Sequence, residues 1–199
     1  TTAVYTVTVN TAALPEPITP GVDNKKPASK PEVKLPFTDV STSDWFYDDV
    51  AFVYKNGLFS GTDSRSFSPN ASMTRAMLVT VLYRLEGEPT ITGRSSFTDV
   101  RSGAYYEKSV IWAAANGIVT GTDSTSFSPD AKVTREQLAA ILYRYAQYRK
   151  LDTDASAKLN SFTDADSVSA YASEALGWAV SEGLINGASG KLMPKGDAT

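Results

Sequence analysis

The chain contains no cysteine and no histidine in 199 residues. Without cysteine there is no disulfide framework, thiolate zinc site, iron–sulfur cluster or thiol nucleophile. Without histidine there is no Ser-His-Asp triad, and most transition-metal sites go with it. We therefore expect no cofactor and no metal. No apolar run approaches the roughly 20 residues that cross a bilayer, so no membrane insertion is expected. A net charge of −3 and a pI near 5.0 argue against a nucleic-acid partner. Hydrophobic residues at 42% and charged residues at 21% fit an ordinary folded chain. It opens Thr1-Thr2-Ala3 without a methionine, so it is expected to be processed or cut from something longer, and the lack of a leader says little about compartment.

The first eleven residues carry one strand signal. Tyr5, Val7 and Val9 alternate with Thr6 and Thr8, the period of a half-buried strand. It reads as the last strand of a preceding domain or as a frayed tail. Residues 12–36 hold Pro15, Pro17, Pro20, Pro27, Pro31 and Pro36, interleaved with Lys25, Lys26, Lys30 and Lys34. Proline fixes φ and removes a donor, so this stretch is expected to be an extended linker.

From Phe37 onward the sequence repeats. Phe37-Thr38-Asp39-Val40 returns as Phe97-Thr98-Asp99-Val100, and Gly61-Thr62-Asp63-Ser64 as Gly121-Thr122-Asp123-Ser124. Phe67-Ser68-Pro69 returns as Phe127-Ser128-Pro129 at the same offset, with no gap. A third copy starts at Phe162-Thr163-Asp164 and runs through Trp178, Gly183 to Gly187 and Pro194. The expected divisions are 37–96, 97–161 and 162–199. In this register Thr199 matches Thr74 and Thr134, so the third copy stops where its second helix would begin.

Each copy reads as helix, loop, helix. Val50, Val53, Tyr54 and Leu58 share one helical face, and Asn56-Gly57 ends the helix. Copy two gives Val110, Ala113, Ala114 and Ile118 with Asn116-Gly117; copy three gives Leu176, Ala179, Val180 and Leu184 with Glu182-Gly183. The second helix starts at Thr74 or Thr134. Thr134 and Gln137 fit a capping box, whereas copy one keeps the cap but has Met77 in place of the reciprocal side chain. Leu78, Val81, Leu82 and Leu85 form its apolar stripe in copy one; Leu138, Ile141, Leu142 and Tyr145 form that of copy two. The fold class is therefore mainly α.

These residues together resemble three tandem S-layer homology modules over about four-fifths of the chain. The family pattern is an opening Phe-x-Asp-Val, an aromatic in the first helix, a Gly-x-x-x-Gly turn, a Phe-x-Pro and a Thr-Arg-Ala-Glu heading the second helix. Here the turns are Gly57 to Gly61, Gly117 to Gly121 and Gly183 to Gly187. The last motif reads Thr74-Arg75-Ala76-Met77 and Thr134-Arg135-Glu136-Gln137, copy one departing at Met77, where the family has glutamate. The resemblance implies a pseudo-threefold spindle of helix–loop–helix repeats around a central helix bundle. It implies a non-catalytic module on the bacterial cell surface, binding secondary cell-wall polysaccharide that often carries pyruvate ketals. The remainder of a larger surface protein would lie upstream.

The residues suggest how such a glycan would be held. Arg75 and Arg135 stand at the first position of a helix, whose N–H groups and dipole favour an anion, and a guanidinium can grip a carboxylate with two parallel bonds. Thr74 and Thr134 cap the same helices, and the turn glycines Gly61, Gly121 and Gly187 would add N–H donors. The other reading of the arginines is a salt bridge to Asp39 or Asp99. Trp112 and Trp178, aligned with Phe52, would either floor a sugar groove or sit in the core. Trp45, Tyr105 and Tyr106 are expected to pack between repeats. Asp39, Asp99 and Asp164 would cap backbone donors, or else touch ligand. Tyr83-Arg84 and Tyr143-Arg144 read as an amphipathic edge or as surface cation–π pairs. Asp63 and Asp123 lack the alternating pattern of a calcium loop, and the scattered carboxylates suggest no glycosidase pair. The alternative function is protein–protein assembly without glycan. Residues 37–199 carry 15 basic and 19 acidic side chains, so a grip on an anion must come from local arginines.

Overall fold

A computed structural model of the chain describes residues 7–8 and 34–199. Most of the expected strand and linker lies outside the described residues; Val7–Thr8 is strand, labelled β1. Five α-helices follow: α1 (Tyr47–Lys55), α2 (Arg75–Leu85), α3 (Glu107–Ala115), α4 (Arg135–Tyr148) and α5 (Ser173–Ser181). β2 (Thr90–Ile91) lies between α2 and α3, and three single 3₁₀ turns precede or adjoin α5. The chain is mainly helical, as its periodicity predicts.

The helix ends follow from local chemistry. α1, α3 and α5 each stop before a glycine with positive φ, Gly57 (67°), Gly117 (70°) and Gly183 (68°). Thr74 and Thr134 are both extended N-caps, accepting from Met77 N–H at 3.2 Å and Gln137 N–H at 3.4 Å. Gln137 Oε1 accepts back from Thr134 N–H at 3.1 Å, completing the capping box only in copy two.

The chain divides into two compact units. The smaller spans Thr8–Pro69 and is built around Phe37, which is buried against Tyr54 and Phe67 at ring distances of 5.2 and 5.4 Å. The larger holds Asn70–Thr199, and within it α2 packs with the second copy, chiefly on α3. One core there joins α2, α3 and one side of α4 through Val79, Leu82, Trp112, Ile118, Phe127 and Ile141. A second joins the opposite side of α4 to α5 through Ala139, Ala146, Leu176, Trp178 and Leu192. Two expected core residues are outside: Leu85 is 42% and Leu184 53% exposed. Ile185 is buried in place of Leu184, because the chain turns as it leaves α5.

Each copy closes on itself by the same three contacts. The opening phenylalanine fills the turn: a Cβ on Gly61 would lie 2.6 Å from the Phe37 ring, on Gly121 2.8 Å from Phe97, and on Gly187 2.4 Å from Phe162. The threonine N–H donates across the loop, from Thr38 to Arg65 O, Thr98 to Thr125 O and Thr163 to Gly190 O. The aspartate takes two backbone donors. Asp39 accepts from Phe67 and Ser68 N–H, Asp99 from Phe127 and Ser128, and Asp164 from Leu192 and Met193, all at 2.7–2.9 Å. The middle residues Ser68, Ser128 and Met193 have φ of 60°, 58° and 52°, a strained region for a side-chain-bearing residue. The carboxylate holds each of them there, and those bonds keep Asp39 and Asp164 below the usual carboxylate pKa.

Gly121 tests this closure. A Cβ there would also sit 2.2 Å from Asp123 O and 2.6 Å from Ser126 O, and backbone atoms cannot step aside cheaply. Gly121→Ala is expected to lower stability by about 1–3 kcal/mol, the usual cost of overpacking, read as a drop in the denaturant midpoint.

Candidate functional site

The two motif arginines act as straps between successive copies. Arg75 Nε donates to Phe127 O at 2.8 Å and its Nη2 to Thr120 O at 2.8 Å. Arg135 repeats this one copy later, with Nε on Leu192 O at 2.7 Å and Nη2 on Asn186 O at 2.7 Å. Leu192 aligns with Phe127 and Asn186 with Thr120, so the straps are equivalent. The Arg75 guanidinium also lies 4.7 Å over the Phe127 ring.

The helix starts do not present the free N–H groups expected of them. Arg75 N–H donates to Ala131 O and Ala76 N–H to Pro129 O; Arg135 N–H donates to Gly196 O and Glu136 N–H to Pro194 O. The next copy's loop has consumed the first donors of each helix, so the anion-binding capacity of these ends is spent on carbonyls. Met73 just before α2, Val133 just before α4 and Ala198 in the third copy form a closed ring of backbone bonds: Met73 N–H to Ala198 O, Ala198 N–H to Val133 O, and Val133 N–H to Met73 O.

What the straps leave over is a guanidinium edge. Arg75 lines a cavity of about 390 Å³ together with Gly121, Thr122, Gln137, Arg144 and Tyr171. Arg144 donates from Nη1 to Ile118 O at 3.0 Å. Neither arginine has a carboxylate within 4.0 Å among the described residues, and no residue lining the cavity is acidic. The salt bridge to Asp99 is not formed; that carboxylate is occupied by Phe127 and Ser128 N–H. Burial lowers the pKa of both arginines, and the charge of Arg144 lowers that of Arg75 further. Two partly desolvated cations thus face one cavity, with the Asp99 charge acting on Arg75 only from beyond ion-pair distance.

The predicted aromatics lie elsewhere. Trp112 is 0% and Trp178 5% exposed, so neither can floor an open groove. Trp112 packs against Tyr83 and Tyr148 at 5.7 and 5.8 Å, and Trp178 against Tyr143 at 5.5 Å. Their indole N–H groups have no partner among the described residues. Trp45 and Tyr105, expected to pack, are 89% and 65% exposed, while Tyr106 is buried as expected. Tyr83 is buried and donates its hydroxyl to Pro89 O, so it is a core residue and not a surface cation–π partner. Asp39 and Asp99 serve as the clamps described above. Gly121 lines the cavity; Gly61 and Gly187 share its fit against a phenylalanine ring.

Arg144 and Tyr171 are the cation and the aromatic ring that line the cavity without being among the expected site residues. Arg144 was legible only as the polar neighbour of Tyr143. Tyr171 aligns with Tyr105, a signal available from the repeat register but blurred by the insertion in copy three. Its hydroxyl donates to Glu136 Oε1 at 3.1 Å, and burial with the Glu136 charge pushes its pKa up to about 12. Among the described residues no cluster of acidic side chains could hold a metal ion, and no helix is long and apolar enough to cross a membrane.

Three copies of one repeat, the first tied to the second by Arg75 and the second to the third by Arg135, define a tandem-repeat module. The S-layer homology domain model matches residues 36–76, 96–139 and 161–199, more than half the chain, and the chain belongs to that family. It is similar to an endoglucanase of Bacillus sp. (strain KSM-635), 31% identical over 166 residues, covering 83% of this chain and 17% of that protein. It is 31% identical to the surface-layer 125 kDa protein of Lysinibacillus sphaericus over 137 residues, 65% of this chain and 11% of the relative. A cellulosome-anchoring protein of Acetivibrio thermocellus is 26% identical over 115 residues, 55% of this chain and 26% of the relative. The chain thus spans only a minor part of each of these relatives.

Proposed function

We propose that this chain is a cell-surface anchoring module that binds an anionic secondary cell-wall polysaccharide without a covalent bond. The observation that carries this is the cavity where Arg75 and Arg144 meet with no carboxylate among its lining residues. An acidic sugar substituent such as a pyruvate ketal would complete that site, because it offers the charge and the paired oxygens that two guanidinium groups accept. The strap geometry of Arg135 suggests a second site of the same kind. Surface-layer and anchoring relatives support the reading. The module tethers a larger surface protein and does no chemistry itself; this chain corresponds to only 17% of the endoglucanase relative.

We also propose repeat divisions at 37–96, 97–161 and 162–199 and a pseudo-threefold spindle with the second helices at its centre. The cyclic bonds of Met73, Val133 and Ala198 support a threefold arrangement, since each copy contributes one donor and one acceptor.

A pull-down with purified wall polysaccharide tests the function, comparing the parent with Arg75→Ala, Arg135→Ala and the double variant, with circular dichroism as the folding control. The double variant is expected to stay in the supernatant. Undiminished retention would remove both arginines from the site, and oligomers that ignore wall material would favour protein–protein assembly instead.

A further inference from the structure

Asparagine precedes glycine at three places: Asn56-Gly57, Asn116-Gly117 and Asn186-Gly187. Such a pair carries a reaction of its own. The glycine nitrogen, with no side chain to hinder it, can attack the asparagine carboxamide carbon once its N–H is deprotonated. In a folded chain that requires an N–H not held by an acceptor and a carboxamide able to turn towards it. The structure treats the three pairs differently.

In the first two the nitrogen is engaged. Gly57 N–H donates to Tyr54 O at 3.0 Å and Gly117 N–H to Ala114 O at 3.1 Å. Asn56 and Asn116 cap α1 and α3, and each donates from Nδ2 to a carbonyl four residues back, Phe52 O and Trp112 O, both at 2.8 Å. Each carboxamide is thus held back along its helix, away from the glycine nitrogen. The third pair lies beyond α5, in the turn that closes the third copy. Gly187 N–H has no acceptor among the described residues. The Asn186 carboxamide makes a longer bond, 3.3 Å to Gly183 O. Both residues are exposed, so water reaches them. The Asn186 carbonyl belongs to the same peptide unit as the Gly187 nitrogen, and it accepts from Arg135 Nη2 at 2.7 Å. A cation on that oxygen stabilises the peptide anion left when the N–H is lost.

We propose that Asn186 is a self-modification site, converting to an acidic residue in the folded chain while Asn56 and Asn116 are protected. The Gly187 nitrogen forms a bond to Asn186 Cγ, the Cγ–Nδ2 bond breaks, and the glycine proton leaves with that nitrogen as ammonia. The product is a succinimide ring. Water then opens the ring at either carbonyl. One opening gives aspartate. The other gives isoaspartate, in which the chain runs through Cγ and the former backbone carbonyl becomes a free carboxylate. In isoaspartate the acceptor of Arg135 has become an anion, and an extra methylene enters the turn where Gly187 fits against the Phe162 ring. The strap between the second and third copies is thereby altered by age, with water the one co-reactant and no enzyme needed.

Peptide mass mapping of the full chain, incubated in mildly alkaline buffer, follows all three pairs in one sample. Asn186 is expected to convert roughly fivefold or more faster than Asn56 or Asn116, the factor that one backbone hydrogen bond to be opened is worth. A parallel incubation in guanidinium chloride removes the fold, and the three rates should then draw together. Asn186 converting no faster than Asn116 in the folded chain overturns the proposal. The same ratio persisting in denaturant overturns it too, since neighbouring residues and not the structure would then set the order. Fragmentation that separates the two acidic products should find isoaspartate alongside aspartate at position 186. Aspartate alone would mean direct hydrolysis of the carboxamide, and would remove the Gly187 nitrogen from the reaction.

Discussion

Arg144→Ala is expected to weaken retention on wall polysaccharide by on the order of tenfold or more, the value of a hydrogen bond between charged partners. The same variant should change stability little. Arg144 gives one bond to Ile118 O, worth about 1 kcal/mol. Against that, its charge opposes the charge of Arg75 in a partly buried setting with no carboxylate among the cavity's lining residues. Removing it relieves that repulsion and offsets the lost bond. A binding loss without a stability loss is the mark of a residue kept for its ligand. Thermal melts and polysaccharide titrations on the same preparation check it. A large fall in melting temperature with unchanged binding would make Arg144 a structural cap on α3's exit.

Trp112 behaves in the opposite way. Trp112→Ala is expected to cost about 3–5 kcal/mol, because the side chain is 0% exposed and its removal leaves a cavity between α2, α3 and α4. Trp112→Phe should cost far less. It loses ring volume, but it also removes a buried indole N–H that has no partner among the described residues, a group whose burial is itself unfavourable. Copy one already carries Phe52 at this position. Chemical denaturation gives the two costs, and wall binding by folded Trp112→Phe should equal that of the parent. A Trp112→Phe variant that is stable but no longer binds would return this residue to the glycan site.

The contrast between these two residues shows where sequence reading succeeds. Thr134 and Gln137 announced their capping box, and Asn56-Gly57 and Asn116-Gly117 their helix ends, because those signals act within four residues of chain. The pairing of an opening phenylalanine with a turn glycine was visible as co-recurrence, though its reason, ring against missing Cβ, was not. Arg75 is legible in the sequence as a cation at the start of a helix. Its true partners, Phe127 O and Thr120 O, lie 52 and 45 residues away. No local pattern could say that backbone carbonyls of the next copy, and not a carboxylate, would receive it. Likewise an aromatic at helical spacing cannot report which side of its helix another helix will cover. Trp112 was covered; Trp45 and Tyr171 were left in the open.

The empty cysteine and histidine columns, the repeat and its caps were determined by sequence alone. They define a set of repeated copies with no thiol or imidazole chemistry to offer, because composition and short-range bonds need no partner to act. The tertiary structure decided which of the motif residues line the cavity. It spent the helix N–H groups on the neighbouring loop and buried the tryptophans. Arg144 and Tyr171 came beside Arg75 because residues from three copies converge there, and convergence across the chain depends on packing that no single copy encodes.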